Sequence, residues 1–194
     1  MKLVRKNFRA KESIPYYEGY EYTGMDYCSE LYRTEKGWLK RVSGINFDME
    51  TYEKFSMMYD YTVEPISITF NNHTLEYETL DYDNEAFIYL PQKDKYYMLS
   101  KLVSMFGDFV HFSEHLSNDK IFYHCDFKKD NFIFDGNELK IIDLDSFMWT
   151  SKENYHHYAH KAIKKLFGLS WKELFDVDFP THLRETWYQV DGIR

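Results

Sequence analysis

Up to Leu80 the apolar residues alternate with polar ones in short runs, and beyond it they recur mainly at helical spacing. Tyr16–Tyr22, Ser29–Thr34 and Trp38–Val42 are expected strands of an antiparallel meander, with a glycine-containing turn after each of the first two. Tyr52, Phe55 and Tyr59 mark a helix over Asp48–Tyr59, whose start Asp48 can cap. Ile66–Phe70 alternates, Asn71-Asn72-His73 turns, and Thr74–Leu80 returns, a hairpin that completes a five-stranded sheet. Leu99, Leu102, Val103, Phe106 and Val110 form one stripe of a long helix from Asp94 to Leu116. Its Gly107 costs about 1 kcal/mol of helix propensity, which packing covers.

Three brief buried strands follow, Ile121–Tyr123, Phe132–Phe134 and Leu139–Ile142, with Asp135-Gly136-Asn137 as a hairpin turn between the last two. Tyr155, Tyr158, Ala159, Ala162, Ile163, Leu166 and Phe167 trace another helix that ends at Gly168, a suitable C-cap. Trp171–Phe175 and Pro180–Tyr188 read as two last short helices, and Pro180 suits a first helical turn.

The polar residues that interrupt Lys120–Phe147 carry the chemistry. Asp126 and Asn131 fall on the loop before the hairpin, and Asp143 and Asp145 on the loop after it. The hairpin therefore folds two sets of oxygen ligands toward one point, the outline of a divalent-cation site. Mg²⁺ prefers hard oxygen ligands, usually one or two carboxylates completed by phosphate oxygens. Phosphoryl transfer asks little else of a protein than such a charge clamp and a carboxylate that accepts the acceptor hydroxyl's proton. Loop Asp and Asn residues most often only cap turns. Here, however, H-x-D, an Asn five residues past the Asp, a hairpin and apolar-Asp-x-Asp occur together and in that order.

His124-Cys125-Asp126-Phe127-Lys128-Lys129-Asp130-Asn131 resembles the H-x-D-x-x-x-x-N catalytic loop of the protein-kinase-like superfamily, and Ile141-Ile142-Asp143-Leu144-Asp145 resembles the metal-binding segment that follows it. The resemblance implies that Asp126 is the catalytic base, Asn131 a metal ligand, Asp143 the metal aspartate and Asp145 a second ligand. It also implies that Lys128 faces the transferred phosphate and that His124 braces the loop. Cys125 stands where regulated protein kinases keep arginine, Asp-Leu-Asp replaces Asp-Phe-Gly, and no Ala-Pro-Glu follows. The last two departures lean toward the compact aminoglycoside, choline and sugar kinase branches.

In that frame the fold is α+β and bilobal. Residues 1–82 form a small antiparallel β-sheet N-lobe with one helix, and residues 83–194 a reduced, mainly helical C-lobe. The loop over the nucleotide phosphates would run from Gly19 to Gly24 and on to Cys28, both glycines serving equally as plain turn residues. Lys40, in Gly37-Trp38-Leu39-Lys40, would bind the α- and β-phosphates, with Glu53 as its partner and Glu50 as the alternative. Glu78 to Tyr82, including Leu80, would be the hinge whose backbone meets adenine.

Composition narrows the partners. The net charge of −8 argues against nucleic-acid binding by charge, because counterion release requires a basic surface. Aromatic residues make up 20% of the chain, yet they fall on core positions and are not interleaved with Lys or Arg, so they read as packing and not as base-stacking platforms. Cys28 and Cys125 are far apart and lack metal-site spacing, which suits a reducing compartment. No run is long and apolar enough for a signal peptide or a membrane span, so a cytoplasmic protein is expected. His156 and His160 lie one helical turn apart without a third ligand of suitable spacing, so an exposed helix face is the expected reading.

The expected function is an ATP- and Mg²⁺-dependent phosphotransferase for a hydroxyl acceptor. A small molecule or glycan is preferred to a folded protein, because the segment from Asp145 to Tyr155 is too short for an activation segment and a peptide platform. The alternative is a pseudokinase-like module that contacts a partner protein without turnover. A third reading transfers AMP in place of phosphate.

Overall fold

The computed structural model describes residues 21–26, 29–71, 73–80, 92–116, 119–134 and 138–168. The chain is mixed α+β. The described part of Met1–Met49 and Glu64–Tyr82 forms one compact unit, and that of Glu50–Val63 and Asp83–Arg194 a second. Gly19, the leading part of the expected first strand and both expected C-terminal helices lie outside the described residues.

The first unit is a five-stranded antiparallel sheet of β1 (Glu21–Asp26), β2 (Ser29–Arg33), β3 (Gly37–Ser43), β4 (Ser67–Asn71) and β5 (Thr74–Leu80), in the order β1-β2-β3-β5-β4. β3 is central because Leu39 and Val42, both buried, fall on opposite faces of a strand whose side chains alternate. Thr34 shapes the β2–β3 turn by accepting the Gly37 N–H at 2.9 Å. Arg33 lies over the Trp38 ring at 4.7 Å, directly across the ladder.

Two expectations change here. Gly24 is not on a turn but inside β1, paired with Leu31 beside a bulge that leaves Thr23 unmatched. Glu78 and Leu80, expected at the start of the hinge, belong to β5, and the hinge's Asp81 and Tyr82 lie outside the described residues. Glu78 pairs with Leu39 on one side and Ser67 on the other, and its carbonyl accepts the Ile66 N–H at 2.7 Å. The Thr-Leu-Glu-Tyr-Glu-Thr-Leu alternation carries the ladder to Leu80, so no break in pattern ends the strand earlier.

The second unit gathers α1 (Met49–Tyr59), α2 (Gln92–His115), β6 (Lys120–His124), β7 (Phe132–Phe134), β8 (Leu139–Ile141), β9 (Phe147–Ser151) and α3 (Lys152–Phe167). Its centre is Phe55 of α1, fully buried, with the rings of Phe109, Phe112, Phe122 and Phe147 at centroid distances of 5.4, 5.4, 5.8 and 5.3 Å. The helix expected to accompany the sheet thus belongs to the other unit, where the rings of its buried Tyr52 and Phe55 pack on residues of α2, β6 and β9. Thr62, just past α1, bridges to Ile141, and the Tyr61 carbonyl accepts the Ile141 N–H.

β7 and β8 pair as the expected antiparallel ribbon. β9 was not expected. It returns antiparallel along β6, matching Phe147 with His124 and Ser151 with Lys120. α3 then starts at once, capped by the Ser151 hydroxyl, which accepts the Asn154 N–H. Gly168 ends it in the left-handed conformation that a side chain would make costly.

Candidate active site

β6 runs straight into the loop that bears Asp126, and Phe127 anchors this loop from below. Its ring is buried edge-on against Phe106 at 5.1 Å and stacked on Phe132 at 5.9 Å. An apolar residue directly after the aspartate therefore fixes the loop, and the neighbouring polar side chains are set by that anchor. Asn131 ends a single 3₁₀ turn, Lys129–Asn131, and is 5% exposed. Its Nδ2 donates to the Asp126 carbonyl at 2.9 Å and to Asp126 Oδ2 at 3.0 Å. Lys128 Nζ donates to the same carboxylate oxygen at 2.5 Å. Oδ2 is thus saturated, and Oδ1 is the oxygen that remains for a ligand hydroxyl. Asn131, whose Nδ2 is committed, has its amide oxygen to offer a cation.

Three contacts tie this loop to the acidic one. The Ile142 N–H donates to the Asn131 carbonyl at 2.9 Å, the Cys125 N–H donates to the Ser146 carbonyl at 2.9 Å, and His124 Nε2 lies 3.0 Å from the Ile142 carbonyl and 3.1 Å from that of Asp143. Asp143 follows Ile142 directly, so Asn131 and Asp143 stand at neighbouring positions where the β7–β8 ribbon ends. Asp143 has φ 71 and ψ 57, a left-handed conformation that Asp tolerates better than bulkier residues. Its carbonyl is pinned by the His124 imidazole and the Ser146 N–H, and its carboxylate accepts the Ser146 hydroxyl at 3.1 Å. Such backbone strain persists only where its surroundings hold it, and it tends to mark functional positions. Asp145 lies on the adjoining 3₁₀ turn, Leu144–Ser146.

The electrostatics follow from this arrangement. Burial would raise the Asp126 carboxyl, but the Lys128 ammonium and the Asn131 amide, with Lys165 further off, hold it below the usual carboxylate value. This carboxylate is therefore ionised at neutral pH. His124 is fully buried among Phe127 and Phe147 and donates from Nε2 to both carbonyls, so a second proton would sit on Nδ1, which has no hydrogen-bond partner among the described residues. Burial lowers its pKa to about 4, against the opposing pull of Asp143.

That imidazole supplies a pH prediction. A folded-state value below the unfolded one, roughly 6.5, means that the unfolded chain binds the extra proton. The contribution is complete above about pH 6.5 and is lost as pH falls toward 4, about 3 kcal/mol in all. The His124 ring resonances should titrate near pH 4 by NMR, while urea midpoints drop over that window. A midpoint near 6.5 would show that the ring is not sealed in.

Of the sequence-predicted residues, Asp126, Lys128, Asn131, Asp143 and Asp145 thus share two linked loops. Lys40 lies on β3 of the first unit, paired with Leu31 and Tyr77. Glu53 is exposed on α1 in the second unit, and its alternative Glu50 pairs with Lys54 at 2.6 Å. Residues missed in sequence include Ser146, whose spacing to Asp143 (Asp-x-x-Ser) is a weak signal, and Tyr158, Lys161 and Lys165 of α3. The three line a cavity of about 120 Å³ with Cys125, Asp126, Phe127 and Ala162.

Among the described residues no group of three or more His, Cys, Asp or Glu side chains is arranged to hold a metal ion. His156 and His160 do approach, Nε2 to Nε2 at 3.0 Å, but as a pair. The oxygen set of Asn131, Asp143 and Asp145 suits a hard cation that takes its other ligands from phosphate and water. No described helix is long and apolar enough to cross a membrane. The chain matches no protein-family model, and no curated protein resembles it at a significant level.

Proposed function

We propose that the chain is a Mg²⁺- and ATP-dependent phosphotransferase of compact, bilobal kinase-like fold, acting on a hydroxyl acceptor that is a small molecule or glycan in preference to a folded protein. The observation that carries this reading is the union of the two acidic loops: Asn131 holds Asp126 on one side and meets the strand leading into Asp143 on the other. Mg²⁺-ATP supplies the phosphoryl group and the charge that stabilises its transfer. Asp143 and Asn131 would hold the cation, with Asp145 as a further carboxylate. Asp126 takes the acceptor's proton, ionised as that task requires, and Lys128 neutralises charge on the phosphates. A small acceptor is supported by the path after Asp143, which passes through one 3₁₀ turn and five-residue β9 directly into α3.

Two observations favour the second reading, a pseudokinase-like module that contacts a partner protein without turnover. Gly24 lies in a strand and the Glu78 carbonyl is engaged by Ile66, which removes two nucleotide contacts the resemblance implies. A thermal-shift experiment separates the readings. At ATP near 100 times its Kd, linkage gives about 2.7 kcal/mol, or roughly 5–10 °C for a chain of this size. The wild type should show that rise only with Mg²⁺. Asp143→Asn should lose most of it with its own unfolding temperature unchanged, because Asn also tolerates the left-handed backbone. A Mg²⁺-dependent rise without transfer to a broad acceptor panel would favour the binding module. No rise at all would sink the phosphotransferase reading, and mass spectrometry of any product tells phosphate from AMP.

A further inference from the structure

The cavity beside Asp126 has walls of opposite charge. One is the carboxylate of Asp126 with the edge of Cys125 and Phe127, and the other is one face of α3, where Tyr158, Lys161, Ala162 and Lys165 follow at helical spacing. Lys161 and Lys165 are four residues apart, about 6 Å along the axis. Both are exposed, and among the described residues neither forms an ion pair. In a chain of net charge −8 this is a local excess of positive charge. Favourable interaction with the helix C-terminus would account for Lys164 and Lys165 in the last turn. It does not account for Lys161 a turn earlier, nor for the placement of Lys161 and Lys165, without Lys164, on the cavity.

We propose that Lys161 and Lys165 bind an anionic group, carboxylate or phosphate, on the hydroxyl acceptor and so select acidic acceptors over neutral and cationic ones. The inference rests on the phosphotransferase reading for the hydroxyl but not for the anion. Asp126 lines the cavity, and its Oδ2 is taken by Lys128 and Asn131, which leaves Oδ1 for an acceptor hydroxyl. A neutral acceptor forms no ion pair with the two ammonium groups, and a cationic one is repelled by them. The Tyr158 ring borders the same space and offers an apolar side to the acceptor's carbon skeleton.

The test uses the full chain and three matched probes: glucose, glucose 6-phosphate and glucuronate. Without nucleotide, the two anions should perturb backbone amide NMR signals of Tyr158–Lys165 at millimolar concentration, glucose should not, and added salt should weaken the effect. Comparison of the two anions shows whether phosphate or carboxylate is preferred. In Lys161→Gln and Lys165→Gln the anion titration should weaken about tenfold each, the loss expected for one charge-assisted contact. In transfer assays the same variants should raise KM for the anionic acceptor with kcat little altered, and Lys161→Arg should restore much of it. If glucose binds as well as the anions, or the variants titrate like the wild type, the proposal is overturned. Anion binding at α3 without any Mg²⁺-ATP-dependent transfer would uphold the lysine site and count against the phosphotransferase reading instead.

Discussion

Asp126→Asn is expected to lower turnover by about three orders of magnitude while Mg²⁺-ATP still stabilises the protein. The substitution keeps the shape of the side chain. The Asn131 Nδ2 bond to the backbone carbonyl of residue 126 does not involve the altered group, and Phe127 still anchors the loop. Proton acceptance and the negative charge between Lys128 and Lys165 are lost. A general base is worth 10²- to 10⁴-fold by itself, and an acceptor hydroxyl turned away by an amide N–H would add to the loss. Steady-state transfer on the acceptor that gives the highest rate, together with a thermal shift in Mg²⁺-ATP, measures both halves. Wild-type-like turnover would remove Asp126 from the role of base. A collapse in unfolding temperature would instead mean that the carboxylate is mainly a brace for Lys128 and Asn131.

The site was more legible in the sequence than the packing around it, for a physical reason. The distances that matter between Asp126, Lys128 and Asn131 are set within six residues by one 3₁₀ turn, so their spacing alone brings them together. The ribbon that carries Asp143 back is also local, since apolar runs of suitable length flank a turn sequence. Non-local pairing was not legible. Phe147-Met148-Trp149-Thr150-Ser151 shows no clean alternation, with burial of the first and fourth residues, and only its pairing with β6 makes it a strand. The start of α3 was placed too late because Ser151 caps a first turn that has no apolar stripe of its own. Gly24 suits a turn by its residue type, yet a glycine is equally at home next to a bulge.

α1 is the sharpest case. Tyr52, Phe55 and Tyr59 announce a buried face, but periodicity does not say which partner buries it. In the resemblance such a helix accompanies the sheet, whereas here its central ring is shared with α2, β6 and β9. This association also reaches the site. Phe147, 5.3 Å from Phe55, lies edge-on to His124 at 5.2 Å, and His124 holds the carbonyl of Asp143.

Phe55→Ala is therefore expected to cost 3–5 kcal/mol, the range for emptying a fully buried aromatic site. Four neighbouring rings on three different elements cannot all close on the space at once, because each is held by its own helix or strand. At 2–4 °C per kcal/mol the unfolding temperature should fall by roughly 10 °C. Phe147 borders the emptied space and also packs on His124, so the variant should also loosen the acidic loop, visible as faster amide exchange at Ser146 and Cys125, whose backbones are joined. Urea unfolding and hydrogen exchange on the same sample test the two parts together. A loss below about 1 kcal/mol would mean that α1 does not seat in this core and is free to follow the sheet as the αC-type helix of the resemblance does. A full loss without faster exchange at Ser146 would keep the packing and break the proposed path from Phe55 to Asp143.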